Sequence, residues 1–243
     1  MLFKKERRVI LTHLFNGCAA FLLASSLPFK RAFARQNVDN QGTDMKLPKE
    51  KTAGKISVEE AIDQRRTIRG FRSKPLDLLQ LSRLLWAGQG ITGKSGFKRA
   101  APSAGALYPM DLYVVVGKDA VAKIEAGIYH YKPQKHEISL VVGGDLREAV
   151  SRASLSQMWM ADAQVSFVIT AEYSRTTVKY GKRGVRYAMI EAGHIGQNLF
   201  LQAEAMGLKA GIVGAFHDNE VIRVMNIPYT HEPLLIMPIG NPA

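Results

Sequence analysis

Three strand-like runs crowd one short region of the chain: DLYVVV (111–116), GIYHYKP (127–133) and EISLVV (137–142), all rich in β-branched and aromatic residues. The gaps between them, 117–126 and 134–136, are too short for the crossover of a dozen or more residues that parallel neighbours need. These strands must therefore pair mainly antiparallel, and any helices must pack from outside that block. The expectation is an α+β domain with a mixed, mainly antiparallel sheet flanked by helices.

The flanking segments supply the helices. Ser57 and Glu60 form an S-x-x-E signature that opens one helix toward Arg66, and Asp77 with Gln80 opens a second through Leu78, Leu81, Leu85 and Trp86. DLREAVSRASLSQMWM (145–160) reads as a helix and QVSFVITAEY (164–173) as a buried strand. A long helix follows over about 184–206, then AGIVGAF, a short helix DNEVIRVM and a last strand LLIMPIG.

The N-terminus has a different character. Lys4, Lys5, Arg7 and Arg8 precede an apolar stretch from Val9 to Leu27, and Ala32, Phe33 and Ala34 form an A-x-A cleavage signature. Thr12, His13, Asn16, Ser25 and Ser26 interrupt the apolar stretch, which makes it a poor permanent anchor. The Arg pair resembles a twin-arginine export signal, departing from it at Ile10 and Thr12. Residues 1–34 are thus expected as a signal peptide of a periplasmic protein, 35–56 as a polar tether, and 57–243 as the folded domain. Part of the formal charge of +12 lies in the signal, which leaves the domain moderately basic. The single cysteine, Cys18, lies there too, so the mature chain has no thiol for a disulfide, thiolate catalysis or a zinc site.

Several motifs carry chemistry. QRRTIRGF (64–71) sets Arg65, Arg66 and Arg69 at a helix end, where three guanidiniums repel unless an anion or solvent separates them. Arginine forks match phosphate oxygens, and Thr67 adds a donor. The alternative is a solvated charged turn. GQGITG (88–93) matches a dinucleotide fingerprint in letters only, because it follows a helix rather than a strand. RAAPSAGALYP (99–109) has too little side chain to pack a core. Its small residues, Pro102, Ser103, Ala104 and Gly105, let backbone N–H groups approach a flat or anionic ligand, or else mark a tight surface loop. The histidines show no metal-ligand spacing, so no metal is expected. His194, with Arg186, Tyr187, Glu191 and Asn198 on nearby helical faces, reads as a satisfied, partly buried side chain. Gly193 and Gly196 suggest close packing against another backbone, such as that of a second subunit. Aromatic residues are not interleaved with a basic stripe, which argues against nucleic acid.

RRTIRGF, PLDLLQLSRLLWAGQGIT, RAAPSAGALYPMDLYVVV, KYGKRGVRYAMIEAGHIGQNLFLQAEAMGL, VGAF and PIGNP, in that order over about 57–240, resemble the FMN-dependent nitroreductase-like superfamily, in its SagB/ThcOx-type dehydrogenase branch. The resemblance implies a homodimer with FMN at the subunit interface. It assigns the flavin phosphate and ribityl chain to Arg65, Thr67 and Arg69, with Arg66 in the same cluster. Pro102, Ser103, Ala104 and Gly105 would lie along the isoalloxazine ring of the partner's flavin, and Gly214 and Ala215 near its reactive nitrogen. Azoline-oxidising members use a Lys-Tyr pair on the substrate proton, which here falls on Lys179 and Tyr180; a solvated loop lysine beside a packing tyrosine is the alternative. Basic residues often follow the terminal P-x-G in the superfamily, whereas here Asn241, Pro242 and Ala243 follow, so phosphate binding would rest more heavily on Arg65 and Arg69.

The expected activity is hydride transfer between FMN and a small organic substrate, with an unidentified electron partner, in an exported enzyme. An NAD(P)H-dependent nitro or quinone reductase is one alternative. A flavin-binding or basic surface-binding protein without turnover is the other.

Overall fold

The computed structural model describes residues 44–49, 56–93 and 96–243. The expected signal peptide, and the expected tether apart from 44–49 and Ile56, lie outside the described residues. The elements in order are β1 (Met45–Lys46), α1 (Val58–Gln64), α2 (Leu78–Gln89), β2 (Met110–Val116), β3 (Gly127–Lys132), β4 (Glu137–Gly143), α3 (Arg147–Ala153), β5 (Val165–Ala171), α4 (Ser174–Tyr180), α5 (Arg183–Ala205), β6 (Lys209–Ala210), α6 (Asp218–Met225) and β7 (Glu232–Gly240).

All seven strands join one sheet in the order β1-β4-β3-β2-β5-β7-β6, and every strand pair is antiparallel. The α+β expectation therefore holds, and the described strands are more uniformly antiparallel than a mixed sheet. The parallel contacts among the described residues are two isolated bridges, Thr67↔Ala210 and Leu76↔Val121.

Residue parity on β2 and β5 sorts the core into two layers. Leu112, Val114 and Val116 with Phe167 and Ile169 face α2 and α5, meeting Leu81, Leu84, Ile195 and Leu199. Tyr113 and Val115 with Val168 face the opposite way, onto Val150 and Ala153 of α3 and Val221 and Met225 of α6. Burial on both faces is why β2 and β5 are apolar at every position but Asp111, Ser166 and Thr170 rather than alternating. The helix α2 starts at a full capping box, Asp77 with Gln80. It lies so close to the sheet that a Cβ on Gly88 would stand 2.9 Å from Leu112 Cδ2.

Three expectations need correction. Residues 45–46 of the segment read as tether form β1, paired to Ile138 and Glu137, because Met45 and Leu47 are apolar and Leu47 is buried. The helix expected over 145–160 is broken: Leu155 and Ser156 adopt left-handed φ of 54° and 57°, and a 3-10 turn follows at Met158–Asp162. That break lets Met160 enter the core while Trp159 faces the segment carrying Arg69. His194 is exposed rather than partly buried. Among the described residues of the chain the backbone that Gly193 would pack against is not found, and the tight approach on α5 is at Gly184, whose Cβ would meet the Thr176 backbone at 2.8 Å.

Candidate active site

The arginine segment is extended and stitched to the edge of the sheet. Ser57 caps α1 by accepting from Glu60 N–H, the helix ends at Gln64, and Ile68 N–H then donates to Ala210 O at 3.0 Å. Arg72 N–H donates to Asn241 O at 3.1 Å and Ala243 N–H to Gly70 O at 3.2 Å. Residues 65–72 are thereby fixed between β6 and the segment following β7.

The three arginines behave differently. The Arg65 guanidinium lies 5.0 Å over the Phe200 ring, and that of Arg69 5.8 Å from the Trp159 ring. Arg66 turns back and donates to the carbonyls of Asp63 (2.6 Å) and Arg65 (2.8 Å) at the end of α1. Among the described residues none of the three is ion-paired to a carboxylate. Two guanidiniums held on aromatic faces without a counter-charge suit an anionic group. Arg66 serves the helix terminus instead, since α1 has no basic residue in its last turn to meet those carbonyls.

Gly214 and Ala215 belong to the same neighbourhood. Trp159 packs against Phe71, and a Cβ on Gly211 would collide with Trp159 at 2.7 Å and with Ile68 O at 2.9 Å. Val213 is fixed by reciprocal hydrogen bonds with Ile236, and Ala215 O accepts from Gln157 Nε2 at 3.0 Å. Gly214 between them is exposed, with nothing within 4 Å of its Cβ position. That bare backbone beside free arginines has room for a ring to approach.

The loop 99–109 is folded on itself. Tyr108 N–H donates to Ser103 Oγ at 2.9 Å, Arg99 N–H donates to the Tyr108 hydroxyl at 3.2 Å, and the Arg99 guanidinium lies 4.3 Å over the Tyr108 ring. Gly105, Ala106 and Tyr108 all take left-handed φ, at 60°, 53° and 48°. Such backbone is costly for residues other than glycine and tends to mark functional loops. Pro102 and Gly105 are exposed, Ser103 and Ala104 half-buried.

Lys179 and Tyr180 converge on this loop. They end α4 rather than sitting in a loop. A Cβ on Gly105 would stand 2.6 Å from the Tyr180 hydroxyl and 3.1 Å from Lys179 Nζ. The Tyr180 ring meets Tyr187 of α5 edge-on at 5.1 Å, and Lys179 Nζ lies 5.4 Å from the Tyr180 ring centroid. An amine and a phenol at one glycine make a proton-handling pair within reach of whatever the loop contacts.

The arginine cluster and the Lys-Tyr pair meet different turns of α5. Arg65 packs at Phe200 and Tyr180 at Tyr187, positions about 20 Å apart along a helix axis at 1.5 Å per residue.

A charged cluster below α4 was not legible as a site. Arg175 Nη2 lies 2.7 Å from Asp111 Oδ2 and 2.6 Å from Glu172 Oε2, and its Nη1 donates to Tyr108 O at 3.3 Å. Burial would raise the Asp111 carboxyl, but the hydrogen bond to His130 and the Arg175 charge hold it below the usual carboxylate range. Asp111, Glu172 and His231 could geometrically converge on a metal ion, but the guanidinium already lies between the two carboxylates. A second missed residue is Glu191 of α5, buried with both carboxyl oxygens unpartnered. Burial pushes its carboxyl up to about 7, against the opposing pull of Ser103, Gln89 and Arg99. The signal for it was a charge on the face of α5 that carries Ala188, Ala192 and Ile195.

A sequence profile described as the Nitroreductase family matches residues 62–241. A protein of Methanocaldococcus jannaschii with a provisional nitroreductase name is 42% identical over 186 residues, 76% of this chain and 91% of its own. The microcin B17-processing protein McbC of Escherichia coli is 27% identical over 148 residues, covering 59% of this chain and 54% of that protein. A crystal structure from Ralstonia eutropha JMP134, also provisionally named a nitroreductase, superposes with a TM-score of 0.72 at 29% identity over 82% of this chain and 90% of that one.

Proposed function

This chain belongs to the nitroreductase family, and from that premise we propose that it is an FMN-dependent oxidoreductase of the SagB/ThcOx-type branch, in which Lys179 and Tyr180 handle the proton of a small organic substrate. The observation that carries this reading is the convergence of Lys179 Nζ and the Tyr180 hydroxyl on Gly105. The likeness to McbC, a processing protein, supports the branch.

The residues present fit the cofactor. Arg65 and Arg69 would take the phosphate and Thr67 the ribityl end, while the bare backbone at Gly214 and Ala215 would lie near the ring. Bound there, FMN would supply the two-electron chemistry. The chain's own part is to orient, to exclude water and to hold a proton at Lys179 Nζ or the Tyr180 oxygen. The separation along α5 between the arginine cluster and the Lys-Tyr pair supports a homodimer in which each loop 102–105 serves the partner subunit's flavin.

The protein is further proposed to be exported, with residues 1–34 as a twin-arginine-like signal. N-terminal sequencing of the secreted form is expected to begin at Arg35, and a mature form retaining Arg7 and Arg8 would refute export by this route.

The test of function starts from colour. Purified protein should be yellow, or become so with FMN, and a protein that stays colourless and takes up no FMN sinks the reading. Anaerobic photoreduction followed by mixing with oxygen, quinones and nitroaromatics identifies the oxidant. Lys179→Ala and Tyr180→Phe should keep the flavin while losing substrate-dependent reduction. The provisional nitroreductase names of two relatives favour a second reading, in which NAD(P)H is the donor; rapid reduction by NAD(P)H that survives both substitutions would establish it.

A further inference from the structure

Glu191 is 2% exposed, and neither of its carboxyl oxygens has a hydrogen-bond partner. Three polar groups face it and pull its carboxyl down from nearby: Ser103 from the loop, Gln89 from the end of α2 and Arg99 from the start of the loop. Gln89 Nε2 and Arg99 Nε are themselves buried and unpartnered. Gln89 uses its carbonyl oxygen to accept from Arg99 Nη1 at 2.6 Å, which leaves its amide N–H groups unused. Ser103 Oγ accepts from Tyr108 N–H, so its hydroxyl hydrogen is free to donate.

Buried donors and acceptors normally meet. Here donors from two elements stop short of a carboxyl on a third. An ionised carboxylate would draw them in strongly, because charge-assisted hydrogen bonds are shorter and stronger than neutral ones. A protonated carboxyl still accepts, but only through weaker neutral hydrogen bonds, so it holds these donors less firmly. Burial favours that protonated form up to near neutral pH.

We infer that Glu191 is a positioning residue acting through Ser103, its gain or loss of a proton setting where the Ser103–Gly105 loop stands and hence the surface that loop offers to the cofactor ring. The inference rests on the reading of this loop as flavin-contacting. Loss of the proton creates acceptors for Ser103 O–H, Gln89 N–H and Arg99 N–H, and draws the loop toward α5. Gly105, two residues on, touches Tyr180 and Lys179, so the displacement reaches the proton-handling pair as well.

The experiment is a pH titration of the FMN-loaded protein from about pH 5 to about pH 9, following the visible flavin absorbance, on wild type, Glu191→Gln and Ser103→Ala. The expected result is a one-proton transition near neutrality in wild type, absent in Glu191→Gln and strongly reduced in Ser103→Ala. A parallel measurement needs no flavin: amide protection factors over residues 103–108 in apoprotein, normalised for base-catalysed intrinsic exchange, should rise at alkaline pH in wild type and stay flat with pH in Glu191→Gln. A transition that persists in Glu191→Gln, or loop protection factors that ignore both pH and the substitution, overturns the inference. Failure to bind FMN with a Glu191-dependent exchange change intact would sink the cofactor reading and leave the loop coupling standing.

Discussion

The Tyr180 hydroxyl stands 2.6 Å from where a Cβ on Gly105 would be, so the glycine is what allows the phenol to reach the loop. Its φ of 60° adds a second demand, since an alanine there pays for left-handed backbone as well as the collision. Gly105→Ala should cost about 1–2 kcal/mol of stability, read from the urea midpoint. It should also displace Tyr180 and lower substrate-dependent flavin reduction by tenfold or more, while FMN affinity stays within about twofold. Unchanged turnover in a folded Gly105→Ala protein would remove Tyr180 from the site.

Arg175 ties three segments together, and Asp111 is its most buried partner, with a side chain 11% exposed. Asp111→Asn leaves Glu172 as the remaining carboxylate and should cost about 2–3 kcal/mol. The acid limb follows from the depressed Asp111 carboxyl. A lowered carboxyl contributes stability above its unfolded-state value and loses it as pH falls through the folded-state value. Wild type should therefore lose stability more steeply than Asp111→Asn below about pH 4 in pH-dependent thermal melts.

Arg65 and Arg69 should share the phosphate, whereas Arg66 is occupied by the end of α1. Arg65→Met or Arg69→Met should weaken FMN binding by about tenfold or more, the effect of losing a charge-assisted hydrogen bond of about 1.5–3 kcal/mol. Arg66→Met should leave FMN affinity nearly unchanged and lower the melting temperature slightly. Fluorescence titration with FMN separates these outcomes, and equal effects at all three positions would contradict the assignment.

Glu191 gives the opposite pH signature to Asp111. A carboxyl pushed up to about 7 is penalised in the folded state once pH exceeds the unfolded value near 4.3, and the penalty is complete above about pH 7. Glu191→Gln should therefore gain stability relative to wild type as pH rises through this window, by up to about 3 kcal/mol. A flat difference across pH in denaturant titrations would show that Glu191 is not titrating there.

The architecture was legible where spacing and burial agree. Short gaps forced antiparallel pairing of β2, β3 and β4, and Asp77 with Gln80 announced α2. The helix α4 escaped notice because Thr176, Thr177 and Val178 are poor helix formers; tertiary contacts hold it, with Thr176 Oγ1 donating to Tyr173 O and Gly184 O. For the same reason KY read as an isolated dipeptide, when it ends a helix pinned by Arg175 against Asp111. Arg66 was indistinguishable from its neighbours in sequence, since only the α1 terminus decides which guanidinium is consumed. Glu191 was visible as a charge on an apolar helix face, but its missing partners come from α2 and the 99–109 loop, distant in sequence.

The stitching of residues 70–74 to Asn241 and Ala243 has a temporal consequence. Asn241 Nδ2 donates to Lys74 O across 167 positions, and Gln164 Nε2 donates to Arg72 O while its own carbonyl receives Asn241 N–H. The proposed anion clasp thus gains its alignment only after β7 has been synthesised and laid beside β5. Nascent chain emerging from a ribosome would present unaligned arginines, so capture of the proposed flavin would have to wait for translation past Asn241, and any carrier moving this protein across a membrane with a flavin aboard would have to accept it already assembled.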